Sequence, residues 1–157
     1  MNRFVICTTV FALLTFASCS KTNSNLTPSA GSWTLNGNTT YLAVACKVDA
    51  ANPAALIANT ATNPAASTLE VAFYPSLPTT SGTYGVADNS SVNTSPGKVQ
   101  ISTTLAAAGV SYGSDGTGSP TVTVTVTNGK LTVKGSGIHI KNNTSATTLA
   151  FDIVQTN

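Results

Sequence analysis

Apolar and polar residues alternate with a period of two along much of this chain, and that alternation predicts strands. Residues 120–127 read Pro-Thr-Val-Thr-Val-Thr-Val-Thr, which sets Val122, Val124 and Val126 on one face and threonines on the other. Asn128-Gly129 follows, a pair suited to a type I′ hairpin turn because both central residues need positive φ. Leu131 and Val133 resume the alternation. After Gly135-Ser136-Gly137 it continues in Ile138 and Ile140 with the phase shifted by one, which predicts a β-bulge at the glycines. Leu149, Phe151 and Ile153 mark a last strand. In the first half, Trp33 and Leu35 lead into Asn36-Gly37. Leu42, Val44, Cys46 and Val48 then alternate with small residues. Leu69, Val71 and Phe73 form a strand ending at Pro75, and residues 83–86, 99–103 and 110–112 are shorter candidates. About eight or nine strands at this turn-punctuated spacing predict an all-β, antiparallel β-sandwich, with a β-barrel as the alternative. Residues 49–67, rich in Ala, Asn and Pro, read as a long loop, or as a loop holding a helical turn over 53–59.

The first 18 residues follow a different pattern. Arg3 gives a positive start, residues 4–16 are largely apolar, and Ala17 and Ser18 are small. That is the layout of a secretory signal peptide, expected as an N-terminal signal helix. A bilayer span needs about 20 apolar residues, and this run is shorter and broken by Thr8, Thr9 and Thr15. Residues 20–28 carry almost no apolar side chain and predict a flexible tether. The expected organisation is a signal peptide over 1–18, a tether over 19–30 and one β domain over 31–157.

Phe16-Ala17-Ser18-Cys19 resembles the lipobox of bacterial lipoproteins. The resemblance implies cleavage before Cys19, lipidation of its thiol and tethering to a membrane. Two or more acyl chains hold a protein on a bilayer stably, where one does not. An ordinary signal peptide containing a cysteine is the alternative. Cys7 lies in the signal segment, so Cys46 is left without a disulfide partner and reads as a small buried hydrophobe.

Charge changes the picture by its scarcity. Charged residues make up 8% of the chain, against about 25% in a typical domain. After Arg3 the cations are six scattered lysines, which form no stripe for phosphate and argue against nucleic acid. His139, the single histidine, alternates away from the Ile138–Ile140 face and supplies neither a zinc site nor a triad. Asp49, Glu70, Asp88, Asp115 and Asp152 are too widely spaced for a local carboxylate pair. Residues 113–119, Gly-Ser-Asp-Gly-Thr-Gly-Ser, hold one carboxylate and read as a flexible hairpin loop rather than a calcium loop. Hydroxyls are abundant, but no G-x-S-x-G nucleophile elbow is expected among them. No catalytic residue, metal site or cofactor is therefore expected. Tyr74 and Tyr84, flanking the Pro-rich turn over 75–82, are the candidate ligand-binding groups, since phenol rings stack on sugars and add a polar handle.

Ala17-Ser18-Cys19-Ser20-Lys21, the polar linker, Trp33-Thr34-Leu35-Asn36-Gly37, Ser81-Gly82-Thr83-Tyr84 and the β-rich end with residues 135–140 together resemble small lipoproteins common in Bacteroidetes. The resemblance implies the cell envelope and the outer membrane. No acid follows Cys19 in Ser20-Lys21-Thr22-Asn23, so the occupied face of that membrane stays open. The functional expectation is a non-enzymatic binding or presentation module for a glycan or an envelope protein. A structural component pairing through a sheet edge is the alternative, and a hydrolase assembled from distant residues ranks last.

Overall fold

The computed structural model describes residues 30–61, 66–90 and 95–156. The signal segment, Cys19 and the tether before residue 30 lie outside the described residues. Eleven strands run in chain order: β1 Gly31–Leu35, β2 Thr39–Leu42, β3 Ala45–Val48, β4 Ala55–Asn59, β5 Thr68–Phe73, β6 Gly82–Val86, β7 Lys98–Leu105, β8 Val110–Ser114, β9 Thr121–Thr127, β10 Lys130–Lys141 and β11 Ala146–Val154. They form one sheet in the order β2-β1-β11-β10-β9-β6-β7-β5-β4-β3, with β8 bonded to both β7 and β10. β6, β7, β8, β10 and β9 thereby close a five-stranded barrel. The protein is all-β, and the barrel alternative fits; the expected sandwich does not appear in this pairing.

Closure explains the strand directions. A ring with an odd number of strands cannot be antiparallel at every joint. Here β6 and β7 run parallel, pairing Gly85 with Lys98 and Val86 with Val99, while the other four joints are antiparallel. A parallel pair cannot be joined by a tight hairpin. The chain leaving β6 therefore crosses over before entering β7.

The strongest sequence patterns produce the elements expected of them. β9 buries Val122 and Val124 and exposes its threonines. Asn128 and Gly129 sit at φ 52° and 75° in the two-residue turn to β10, and Asn36 and Gly37 at 51° and 68° after β1. The β10–β11 register shifts between Gly135 and Ile138, so Leu131 and Val133 before the bulge and Ile138 and Ile140 after it all reach the core. Trp33, Leu69, Val71, Ile101, Leu149 and Ile153 complete the main apolar packing.

Three expectations change. The run from Leu42 to Val48 breaks at residues 43–44, because Ala43 donates its N–H to Gly31 and Val44 donates to Asn59, on opposite arms of the sheet. Leu42 is consequently 50% exposed, and only Cys46 of its set is buried. Residues 55–59 form β4 rather than a helical turn, since β3 and β5 supply partners on both edges and override the alanines' weak strand preference. Residues 113 and 114 belong to β8 rather than to a flexible loop.

Two residues hold joints that nothing else replaces. Gly31 has φ 93°, and a Cβ there would overlap the carbonyl oxygen of Asp152. The buried Ser114 hydroxyl donates to Ala87 O at 2.7 Å and accepts from Ile101 N at 3.1 Å. Gly31→Ala is expected to destabilise the fold by about 3 kcal/mol or more, from strain at positive φ plus the clash. Ser114→Ala leaves a buried donor and a buried acceptor unpaired and should cost about 2–4 kcal/mol. Urea denaturation of each variant checks both values.

Candidate functional site

A groove of about 540 Å³ opens on the outer face of the barrel where β7, β8 and β10 meet. Its floor follows from strand alternation. Ile101 and Thr103 on β7 point inward, so Ser102 and Thr104 point outward; on β8, Ser114 points inward, so Ser111 and Gly113 point outward. Cross-strand register then places Ser102 beside Gly113 and Gly113 beside Lys141, with Thr104 beside Ser111 in the next row. The Thr104 and Ser111 hydroxyls lie 2.9 Å apart.

Two segments wall this floor. Residues 88–90, the start of the β6–β7 crossover, form one wall. It is fixed by Asn89 N donating to Ser114 O at 2.7 Å, Gln100 Nε2 donating to Asp88 O at 2.7 Å, and Ser90 N donating to Asp88 Oδ1 at 2.7 Å. The Asn89 side chain leans over Gly113, where an added Cβ would lie 2.9 Å from its Nδ2. Lys141, Asn142 and Asn143 form the other wall, at the β10–β11 turn. Asn142 Oδ1 accepts from Thr144 N at 2.9 Å and Ser145 N at 2.7 Å, and from both hydroxyls at 3.1 Å.

The electrostatics are set by two aspartates and one lysine. Hydrogen bonds from Ser90 hold the Asp88 carboxyl below the usual carboxylate range, and Lys141 adds to the effect. Desolvation pushes Asp115 upward, but the Thr117 hydrogen bonds and the charges of Lys141 and His139 outweigh it, and the net shift is down. Asp88 and Asp115 are partners in an isolated antiparallel bridge. Glu70 lies at the margin, with Oε2 at 3.4 Å from the Ser102 hydroxyl. Among the described residues no three His, Cys, Asp or Glu side chains gather as a metal site. Away from the groove, burial pushes the Cys46 thiol up to about 12, which leaves it an unreactive core group.

The tyrosines singled out by sequence lie outside the groove lining. Tyr84 on β6 is half-buried and meets Phe73 edge to face, ring centroids 5.4 Å apart. Tyr74 follows β5 and is 37% exposed, with no ring contact among the described residues. Structure does not bring the two into one ring pair. Cys19 is outside the described residues. The groove residues themselves carried one overlooked signal, the outward hydroxyls at 102, 104 and 111.

The spacing expected to be missing does occur. Gly109-Val110-Ser111-Tyr112-Gly113 matches G-x-S-x-G, and Ser111 lines the groove. The chemistry of that motif needs a strand-to-helix elbow. Here Ser111 lies within β8 and its hydroxyl meets Thr104. His139 O accepts from Asp115 N, so the histidine lies four residues along the strand from Ser111, about 13 Å away.

No family model, curated protein or solved structure matches the chain.

The two lowered aspartates predict acid sensitivity. Their folded pKa values lie below the unfolded ones, so the stabilisation is present above about pH 4 and fades as pH falls through the folded values. The Asp88→Asn/Asp115→Asn variant keeps an acceptor for each turn and loses the titration. Its thermal midpoint should fall less than the wild type's between about pH 5 and 2.

Proposed function

We propose that this chain is a non-enzymatic binding module of the bacterial cell envelope, lipid-anchored through Cys19 to the outer membrane and binding through the groove. One observation carries the binding half: the groove and the chain's entry lie at opposite ends of β11. Lys141, in the groove wall, pairs with Ala146 at the start of β11, whereas Gly31 pairs with Ile153 near its end. Seven strand steps separate these points, about 23 Å. Val154 N donates to Ala30 O at the entry end. A domain held by its N-terminus would thus offer the groove on the side away from its attachment.

The groove chemistry favours binding over catalysis. Asp88 is the one carboxylate in the lining and its pKa is lowered, so the groove lacks the protonated acid of a two-carboxylate pair. Hydrogen bonds to backbone groups fix the walls at Asp88 and Asn142 before any ligand arrives, which lowers the ordering cost of binding.

The second reading, pairing of a partner protein through a sheet edge, is favoured by β2. That strand pairs only with β1 among the described residues, and Leu42 at its end is 50% exposed. A free edge of this kind is a template for strand addition.

Two experiments test these readings in the native envelope. Cys19→Ser should abolish fatty-acid labelling and leave unprocessed precursor; normal labelling and processing of this variant refutes the anchor. A photo-crosslinking residue at Asn143 should capture ligand or partner where one at Thr40 does not. Capture from Thr40 alone transfers the function to the edge.

A further inference from the structure

Resting on the groove reading above, we infer that the ligand is a neutral, polyhydroxylated one, a short stretch of uncharged glycan laid across the Ser102–Gly113–Lys141 row. The inference comes from which groups the groove presents and which it has already used. Ser102, Thr104 and Ser111 present hydroxyls from the floor. The Thr104–Ser111 pair shares one proton between its two oxygens and so keeps one donor and free lone pairs, while Ser102, donating to Glu70, is left to accept; the floor thus offers both roles to sugar hydroxyls, which themselves donate and accept. Carboxylates or phosphates only accept and need a surplus of donors.

The walls point the same way. Asn142 Oδ1 is saturated by four groups of Thr144 and Ser145, so its amide N–H₂ is the part on offer, held in place before any ligand arrives. Asn89 and Asn143 add amides that donate and accept alike. The charges oppose an anion. Lys141 is the one cation in the lining, and it faces Asp88 within the groove with Asp115 close by. Glu70 adds a further negative charge beside Ser102. An acidic glycan would meet more acid than base. A cationic one would meet the Lys141 ammonium at the end of the central row it has to cross.

Gly113 is what makes room. It lies between Ser102 and Lys141 in the central row, and its missing side chain lets Asn89 lean in and keeps the floor open. A branched side chain there would fill the middle of the groove and push Asn89 aside. The groove volume lies within the range of small-ligand sites, roughly 300–1,000 Å³, which suits a few sugar units rather than a folded partner.

The test titrates the full chain, held in a detergent without a sugar headgroup, with four tetrasaccharides. Cellotetraose and maltotetraose are neutral, tetragalacturonate is acidic and chitosan tetramer is basic. Calorimetry and amide NMR shifts report binding. The expected result is binding of a neutral probe, with shifts at residues 88–90, 102–104, 111–113 and 141–143. Gly113→Val should abolish it. Thr104→Val/Ser111→Ala removes both members of one hydroxyl pair without orphaning either, leaves the fold intact, and should weaken binding about tenfold. Shifts at these same residues with only the acidic or basic probe overturn the neutral class while leaving the groove as a binding site. Binding of a neutral probe that survives both variants places it elsewhere and overturns the assignment. Absence of binding by all four overturns this inference, and crosslinking from Asn143 then decides separately whether the groove binds a ligand of another class.

Discussion

The architecture depends on closing a ring of five strands, and the Ser114 hydroxyl sits where that ring is thinnest. Two joints of the barrel are only two residue pairs long: the parallel joint between β6 and β7, and the joint between β8 and β10. Ser114 belongs to the second, opposite Ile140, and its side chain reaches the first by bridging Ala87 O and Ile101 N. Its backbone oxygen also takes the N–H of Asn89. One small polar side chain thus satisfies backbone groups that a short parallel ladder leaves open. In a buried setting each such group, unpaired, would cost about 1–3 kcal/mol. Thr103 plays a lesser version of the part, donating to Thr68 O at 2.7 Å from the buried face of β7.

The groove is a by-product of the same closure. Because five is odd, one joint must be parallel; here it is β6–β7, and a parallel joint requires a crossover. The first residues of that crossover, 88–90, become one wall. The β8–β10 ladder ends at Lys141, and the β10–β11 turn beyond it, touching β8 through Ser145 and the Tyr112 hydroxyl at 3.4 Å, becomes the other. Gly113 lies between them, over the strand that Ser114 locks. Closure, wall and floor therefore share one short stretch of β8, and the polar character of the site follows from strand alternation: Ile101, Thr103 and Ser114 point into the barrel, and the hydroxyls of Ser102, Thr104 and Ser111 point out.

Local patterns were legible and long-range joints were not. The β9–β10 hairpin, its Asn-Gly turn and the bulge at residues 135–137 could be read because each is set by neighbours in sequence. The outward placement of His139 followed from the same alternation, and the burial of Cys46 from its place in an apolar run with no disulfide partner. Barrel against sandwich was not decidable that way, since the β6–β7 and β8–β10 joints link segments with no shared pattern. β4 was missed because alanine reads as a poor strand former until its two neighbours are known. The groove was missed for a related reason. Its residues come from four separate stretches, none with a motif that carries chemistry in this setting, and the tyrosines drew attention because aromatic rings are conspicuous in a chain with few of them. Tyr84 proved to pack on Phe73 and the core.

Native-state hydrogen exchange at the Ile101 amide tests the central claim most directly. That N–H is held by the Ser114 hydroxyl across the thinnest part of the ring. If Ser114 locks closure, Ile101 and Asn89 exchange only through global unfolding, as slowly as the amides shared by β10 and β11. Fast exchange at Ile101 through local opening, while β10 and β11 stay protected, would show that the barrel holds together without this joint and would contradict the account.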